Sequence, residues 1–310
     1  MAIIIFARGN EPALPSLEFW KIGMRFGARY GILGGSATFV LLFPLSVAYA
    51  VQITPGIDQR LQNLELCNQS KLLDAQIDGC TRLINDGRHE PARILAVAHN
   101  NRGNAYSKKG DYEHAIKDYD QAISLAPTYA MPFNNRGVAY KMKSEYNRAI
   151  RDFNEAIKLN AKYGHAFVNR AGVYDKRHDY ERAIHDYSNA IRVEPDLGAA
   201  WNGRCWVRAI IGRLQAALTD CDKALSLQPK NAATYDSRGL VYLKMGKFDL
   251  AIEDYSSALR VKPKLASALY GRGLAKLKKG DVPAGNADLA AAKSLNATIV
   301  DEFARYGLRS

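Results

Sequence analysis

The sequence predicts an all-α protein, a solenoid of stacked helical hairpins. The same residue types recur every 34 positions over six successive copies, and a fixed period of this length is typical of repeat architectures. Within each copy the apolar residues have helical spacing, with a glycine or polar break near the middle that divides the copy into two helices. A hairpin of this size cannot bury its apolar side alone, so the copies must stack on one another.

An Arg series and an Asp series each recur every 34 positions without a gap, and each Asp follows its Arg by 16 positions. The series are Arg102, Arg136, Arg170, Arg204, Arg238 and Arg272, and Asp118, Asp152, Asp186, Asp220, Asp254 and Asp288. We expect each Arg to pair with the Asp of its own hairpin, because a half-buried guanidinium needs a carboxylate to offset its desolvation. A ladder that binds a ligand is the alternative interpretation.

Small and aromatic residues recur on the same period and predict how the helices pack. Small side chains let two backbones approach, and aromatic rings fill the volume that remains. The small series include Gly103, Gly137, Ala171, Gly239 and Gly273, and Ala122, Ala156, Ala190, Ala224, Ala258 and Ala292. The aromatic series include Tyr119, Phe153, Tyr187 and Tyr255, and the breaks fall at Gly110, Ser144, Gly212, Gly246 and Gly280.

This pattern resembles the tetratricopeptide repeat family, whose hallmark is small, small, aromatic, small and Pro at these positions. The resemblance implies a right-handed α-solenoid, with six repeats at 96–129, 130–163, 164–197, 198–231, 232–265 and 266–299. The fourth and sixth repeats depart from the pattern. Arg208 and Lys276 replace one aromatic residue, Cys221 and Leu289 replace another, and Gly285 stands where Ala is usual.

Further helices are predicted on both sides of the six repeats. Ile77, Cys80 and Leu83 fit a second helix of the same type, so residues 63–95 are predicted to be a degenerate N-terminal capping repeat after a linker at 51–62. Ile299 and Phe303 lie at helical spacing, which predicts a C-terminal capping helix over 300–310.

The N-terminal segment resembles an export signal. An uncharged apolar run from Gly31 to Val51 follows several cations and contains Ala48-Tyr49-Ala50, which predicts cleavage after Ala50. Residues 24–50 have the proportions of an ordinary signal peptide, so residues 1–23 reflect either a misassigned start or an extended n-region. An uncleaved anchor is the alternative, because the run is long enough to span a bilayer. On either interpretation the rest of the chain is translocated, and a periplasmic location is expected.

The four cysteines predict two disulfides. Cys205 and Cys221 lie in the same hairpin, and Cys67 and Cys80 lie together in the predicted N-terminal cap. Other pairings would have to cross several stacked repeats, beyond the ~4.4 to 6.8 Å that separates the Cα atoms of a disulfide. Disulfides agree with export to an oxidising compartment. Four reduced thiols that act as small apolar fillers are the alternative.

Composition and motifs favour a protein without catalytic activity. The chain has 47% hydrophobic and 24% charged residues and a formal net charge of +12, which argues against a disordered polymer. Its six histidines include no zinc-protease pair. There is no phosphate-binding glycine loop or nucleophile elbow. We therefore expect no enzyme, no metal and no cofactor.

The resemblance implies a concave groove lined by the first helix of each repeat. Asparagines recur there and resemble the asparagine ladders with which some family members hold an extended peptide by its backbone. The polar residues are Asn100, Asn101, Asn104, Asn134, Asn135 and Asn169, and Trp206 and Leu240 belong to a more apolar half. Asparagines that only cap or solvate helices, and apolar residues that only pack between repeats, are the alternative.

Two functions follow from these observations. The first is an exported scaffold that binds a protein or peptide partner in the groove, without nucleic acid and with membrane contact only through an uncleaved N-terminal segment. The second is an envelope protein whose basic face binds acidic polymers or a membrane surface. Cations gather near the ends of the first helices, where the helix dipole favours them: Lys108, Lys109, Lys141, Lys143, Lys176, Arg177, Lys244, Lys278 and Lys279.

Overall fold

A computed structural model describes residues 39–41, 49–51, 55–69, 71–87 and 90–308. The chain divides into two units, Met1–Asn63 and Leu64–Ser310. In the first unit, strands β1 (Phe39–Leu41) and β2 (Tyr49–Val51) pair antiparallel, with Val40 opposite Ala50. The remainder of the predicted signal peptide, and residues 1–23, lie outside the described residues. No helix in the described part of the chain is long and apolar enough to cross a membrane.

Fifteen helices occur in the described residues, in line with the predicted all-α solenoid. The first two are α1 (Pro55–Gln69) and α2 (Leu73–Asn85). Six hairpins follow: α3 (Ala92–Lys108) with α4 (Tyr112–Leu125), α5 (Ala130–Met142) with α6 (Tyr146–Leu159), α7 (Gly164–Lys176) with α8 (Tyr180–Val193), α9 (Gly198–Ile210) with α10 (Leu214–Leu227), α11 (Ala232–Lys244) with α12 (Phe248–Val261), and α13 (Ala266–Lys278) with α14 (Val282–Leu295). The last helix is α15 (Ile299–Arg305).

The predicted breaks are the turns between the two helices of each hairpin. Gly110 and its glycine equivalents have positive φ, a conformation that residues with a side chain rarely adopt. Ser144 and His178 hold the same conformation at the equivalent positions. An Asp just after the turn caps three of the second helices, as where Asp111 accepts a hydrogen bond from the His114 backbone N–H at 3.1 Å.

Close packing inside each hairpin explains the small and aromatic series. A Cβ atom added to Gly103 would lie 2.7 Å from the Tyr119 ring, and one added to Gly137 would lie 2.7 Å from the Phe153 ring. The aromatic ring of the second helix therefore occupies the space that a side chain on the first helix would need.

Each Arg of the period binds the Asp of its own hairpin through two hydrogen bonds. In the fourth hairpin Arg204 donates from Nε to Asp220 Oδ2 at 2.9 Å and from Nη2 to Asp220 Oδ1 at 2.7 Å. The third nitrogen, Nη1, donates to Ser188 of the preceding hairpin at 3.0 Å. Since the same geometry recurs in all six hairpins, the Arg series joins the helices within each hairpin and adjacent hairpins to each other.

The four cysteines lie at disulfide distance in the two predicted pairs. The Sγ atoms of Cys67 and Cys80 are 2.07 Å apart, and those of Cys205 and Cys221 are 1.99 Å apart. All four side chains are buried. Each pair joins two consecutive helices, α1 to α2 and α9 to α10.

Candidate functional site on the concave face

The first helices form the inner face of the stack. From the first hairpin to the sixth, each first helix contacts the first helix of the next hairpin, whereas the described second helices make at most marginal contact with one another. The stack therefore curves toward the first helices. The predicted asparagines lie on α3, α5 and α7, and Trp206 and Leu240 lie on α9 and α11.

The asparagines bind one another and link successive first helices. Asn135 Nδ2 donates to the Oδ1 atoms of Asn100 and Asn104, both at 3.0 Å, and Asn169 Nδ2 donates to Asn134 Oδ1 at 2.9 Å. Asn100 is fully buried and Asn134 is 5% exposed. These two residues are therefore internal members of the ladder rather than surface groups, because their amide oxygens accept from the next hairpin.

The ladder continues into the first two helices and within the asparagine pairs. Asn101 Nδ2 donates to Asn68 Oδ1 of α1 at 2.8 Å, and Asn134 Nδ2 donates to Asn135 Oδ1 at 3.1 Å. Tyr119 donates its hydroxyl to Asn104 Oδ1 at 2.8 Å. The half-buried members are thus held in fixed orientations by their neighbours.

Among the ladder asparagines on α3, α5 and α7, two have an amide nitrogen or oxygen without a hydrogen-bond partner. Among the described residues, Asn104 Nδ2 has no acceptor and Asn169 Oδ1 has no donor. Both side chains are half-buried on the concave face. The ladder therefore presents one fixed donor and one fixed acceptor to the groove.

The asparagine ladder ends at the third hairpin, because Val168 and Gly203 stand where the acceptor and the donor of the next link would be. Asn202 recurs in the fourth hairpin, but its Oδ1 is buried without a donor in the described part of the chain. The equivalent donor position holds Ser237, whose hydroxyl binds the Ala233 carbonyl oxygen instead, at 2.9 Å.

The C-terminal segment, which comprises α15 and the residues after it up to Leu308, packs on the apolar half of the concave face. The Tyr306 ring lies 5.4 Å from Trp206 in an edge-to-face contact, and the Phe303 ring lies 4.7 Å from Tyr270. Leu240 is 1% exposed and packs in the same apolar cluster as Phe303. Leu240, which the sequence predicts in an open groove, is thus buried, and Trp206 is half-buried against Tyr306.

A buried carboxylate that the sequence analysis did not single out lies in this half. Asp236 is 8% exposed, and Ser267 donates its hydroxyl to Oδ2 at 2.7 Å. Burial raises the pKa of Asp236 to about 7, and the Ser267 hydrogen bond opposes the shift only in part. Asp236 occupies the repeat position of Asn100 and Asn202, so the 34-residue period could have identified it.

Many of the cations at the ends of the first helices pair with the preceding hairpin. Lys143 binds Glu113 and Lys279 binds Asp249, while Lys244 Nζ donates to the Ala209 carbonyl oxygen at 2.8 Å. These contacts add to the helix-dipole interaction that the sequence predicts for cations at these positions. The pairs join adjacent hairpins and leave fewer free cations on this surface.

No group of three metal-ligating side chains occurs in the described part of the chain.

The comparisons with known proteins decide the family. The tetratricopeptide repeat model matches residues 96–129 and 130–163, and two related tetratricopeptide repeat models match residues 168–232 and 239–280. Together these matches cover more than half of the chain. The chain belongs to the tetratricopeptide repeat family. Repeats of this family generally mediate contacts with proteins or peptides, and the proteins built from them are generally scaffolds rather than enzymes.

Solved structures show the same fold at low sequence identity. A tetratricopeptide repeat protein from Parabacteroides merdae is 18% identical with a TM-score of 0.61, covering 81% of this chain and 98% of that one. Pseudomonas aeruginosa pilF is 18% identical with a TM-score of 0.59, covering 70% and 98%. The Cut9–Hcn1 structure of the APC/C is 15% identical with a TM-score of 0.64, covering 81% of this chain and 52% of that one. None of the curated proteins compared matches the sequence.

Proposed function

We propose that this tetratricopeptide repeat protein is an exported, non-enzymatic scaffold that binds an extended peptide, or an extended segment of a partner protein, on the polar half of its concave face. This half comprises α3, α5 and α7. The apolar half around Leu240 is covered by the C-terminal segment.

The observation that carries the proposal is the unused donor and acceptor on a ladder that is otherwise internally bonded. Asn104 Nδ2 and Asn169 Oδ1 are held in place by the hydrogen bonds that their own amides make to Tyr119, Asn135 and Asn134. An extended peptide offers alternating N–H and C=O groups that complement such a pair. Because the side chains are already ordered, little conformational entropy is lost when a peptide binds.

Two observations support export. The N-terminal segment has the basic, apolar and small-residue regions of a signal peptide. All four cysteines lie at disulfide distance in pairs, and structural disulfides persist in oxidising compartments outside the cytoplasm.

The alternative function, binding of acidic polymers through a basic face, has less support. Lys109, Lys143 and Lys279 bind carboxylates of the preceding helix or hairpin. Such exposed pairs are weak individually, but they reduce the density of free positive charge that a nonspecific polyanion site needs.

A matched pair of amide-to-acid substitutions tests the groove. Peptides are first selected from a random displayed library on the purified protein, and the affinity of the strongest binder is then measured by calorimetry. Asn104→Asp keeps an oxygen that accepts from Tyr119 and Asn135 but replaces the free donor by a second acceptor. Gln121→Glu makes the same chemical change at an exposed position of a second helix. We expect Asn104→Asp to weaken binding and Gln121→Glu to leave it unchanged.

A further inference from the structure

A small space lies at the middle of the concave face, where the polar and covered halves meet. Gly172 occupies the repeat position of Asn104, Trp206 and Leu240. A Cβ atom placed on Gly172 would have only the Tyr187 hydroxyl oxygen near it, at 4.0 Å. This glycine therefore leaves room above α7, unlike Gly103 and Gly137, whose Cβ positions are blocked by aromatic rings.

Asp175 lies beside this space on the same face of α7. It is three residues, about one helical turn, from Gly172 and occupies the repeat position of Leu243 and Leu277, which pack with the C-terminal segment. Asp175 is half-buried, and its carboxyl group makes no hydrogen bond or ion pair with the described residues. Lys176 and His178 are the cations in electrostatic range, and neither forms an ion pair with it.

Burial raises the pKa of the Asp175 carboxyl group, and the charges of Lys176 and His178 offset this desolvation only in part. In contrast, each Asp of the series that recurs every 34 positions accepts hydrogen bonds from the Arg of its own hairpin, which offsets the desolvation of its charge. Asp175 is thus a partly desolvated carboxylate that forms no ion pair with the described residues.

Aromatic rings surround the same space. Tyr180, Tyr187 and Tyr306 are each in electrostatic range of Asp175. Trp206 packs with Tyr180 and Tyr187 in one apolar cluster, and its ring contacts Tyr306 at 5.4 Å. Aromatic faces attract a cation, and the attraction is stronger where water is partly excluded.

We propose that the space above Gly172, between Asp175 and Trp206, is a subsite for a cationic side chain of the bound peptide, with a guanidinium group as the best match. The carboxylate supplies the opposite charge, and a planar guanidinium stacks on aromatic rings better than an ammonium does. The inference rests on the proposed function, since it places a basic residue of the partner next to the segment that the asparagine ladder holds. Tyr306 of the C-terminal segment forms one wall, so that segment contributes to specificity.

A pair of peptides that differ only in charge tests the subsite. The first is a blocked pentapeptide with one arginine between glycines, and the second has the neutral isostere citrulline in its place. Binding of both is measured by calorimetry on the full chain, on Asp175→Asn and on Gly172→Leu. The leucine fills the space and leaves the carboxylate in place. Since leucine also favours a helix over glycine, this variant is expected to unfold no earlier than the wild type.

We expect the wild type to bind the arginine peptide about fivefold more tightly than the citrulline peptide, the scale of one exposed cation–π or ion-pair contact. Gly172→Leu is expected to remove this preference and Asp175→Asn to reduce it, since the aromatic rings remain. Equal affinities in the wild type, or an undiminished preference in Asp175→Asn, would overturn the subsite. Binding of the arginine peptide without measurable binding of the citrulline peptide supports the subsite while contradicting backbone recognition by the ladder, so the two proposals fail separately.

Discussion

Asp236 is predicted to make the stability of the C-terminal hairpins depend on pH. The carboxyl group is buried on α11, and Ser267 is the only described residue that donates a hydrogen bond to it. Its pKa rises from 3.8 to about 7 in the folded protein. Between these values the native state binds one proton more than the unfolded chain, so the free energy of unfolding decreases as pH increases.

The size of the effect follows from the shift. Each pH unit between about 4 and about 7 lowers the free energy of unfolding by ~1.4 kcal/mol, which sums to about 4 kcal/mol over the interval. Below this range the carboxyl group is neutral in both states, and above it the loss is complete. Asp236→Asn keeps the shape and an oxygen that can accept from Ser267, but it cannot ionise.

Chemical unfolding of the wild type and Asp236→Asn, followed by circular dichroism from about pH 5 to about pH 8, tests this reasoning. The variant should become more stable than the wild type as pH rises, and the difference should level off above about pH 7. Ser267→Ala removes the one described donor to the ionised carboxylate, which raises the pKa of Asp236 further and should extend the loss to higher pH in the wild-type background. Parallel stability curves for the wild type and Asp236→Asn would refute the assignment of a buried, proton-binding carboxyl group.

Two further predictions concern the repeat pairs and the N-terminal segment. Arg170→Ala leaves the buried Asp186 carboxylate without its two hydrogen bonds of 2.7 Å, so urea unfolding should show a loss of ~3 to 5 kcal/mol. A second substitution, Asp186→Asn, should restore part of it, and an unchanged midpoint in Arg170→Ala would contradict structural pairing. Intact mass after alkylation should show protein from the cell envelope that begins after Ala50 and carries no alkylated cysteine, whereas uncleaved protein with four modified thiols would contradict export as proposed.

The fold could be predicted because the period fixes which residues meet. An Arg and an Asp that stand 16 positions apart in every copy must lie at equivalent places in every hairpin, and Arg102 through Arg272 each bind the expected carboxylate. The cysteine pairs follow from the same logic, since Cys205 and Cys221 belong to one hairpin. Local periodicity and nearest-neighbour stacking are enough for these inferences.

Which asparagine amides are hydrogen-bonded and which are free could not be predicted from the period. Spacing places Asn100 and Asn135 on the same side of their helices, but it does not show that the amide of one is bonded to the other across 35 positions. Whether a buried amide finds a hydrogen-bond partner depends on its side-chain rotamer and on how closely the next helix approaches. The number of free groups in the groove therefore becomes known only with the side chains in place.

The position of the C-terminal segment was also beyond the sequence pattern. The spacing of Ile299 and Phe303 predicts a helix, and α15 occurs there. Tyr306, directly after α15, contacts Trp206 of the fourth hairpin. Neither the 34-residue period nor closeness in the sequence indicates this contact. Only the fold shows that this segment covers Leu240 and completes the wall beside Asp175.

The most direct test of the scaffold is the affinity of the selected peptide for Asn104→Asp and Gln121→Glu, measured together with their unfolding midpoints. If the concave face holds the peptide backbone, Asn104→Asp should bind about tenfold or more weakly, as expected when one well-placed hydrogen bond is lost and a carboxylate faces a carbonyl oxygen. Gln121→Glu should bind as the wild type does, and all three proteins should unfold at the same denaturant concentration. Undiminished binding by Asn104→Asp, or an equal loss in Gln121→Glu, would contradict recognition at the asparagine ladder.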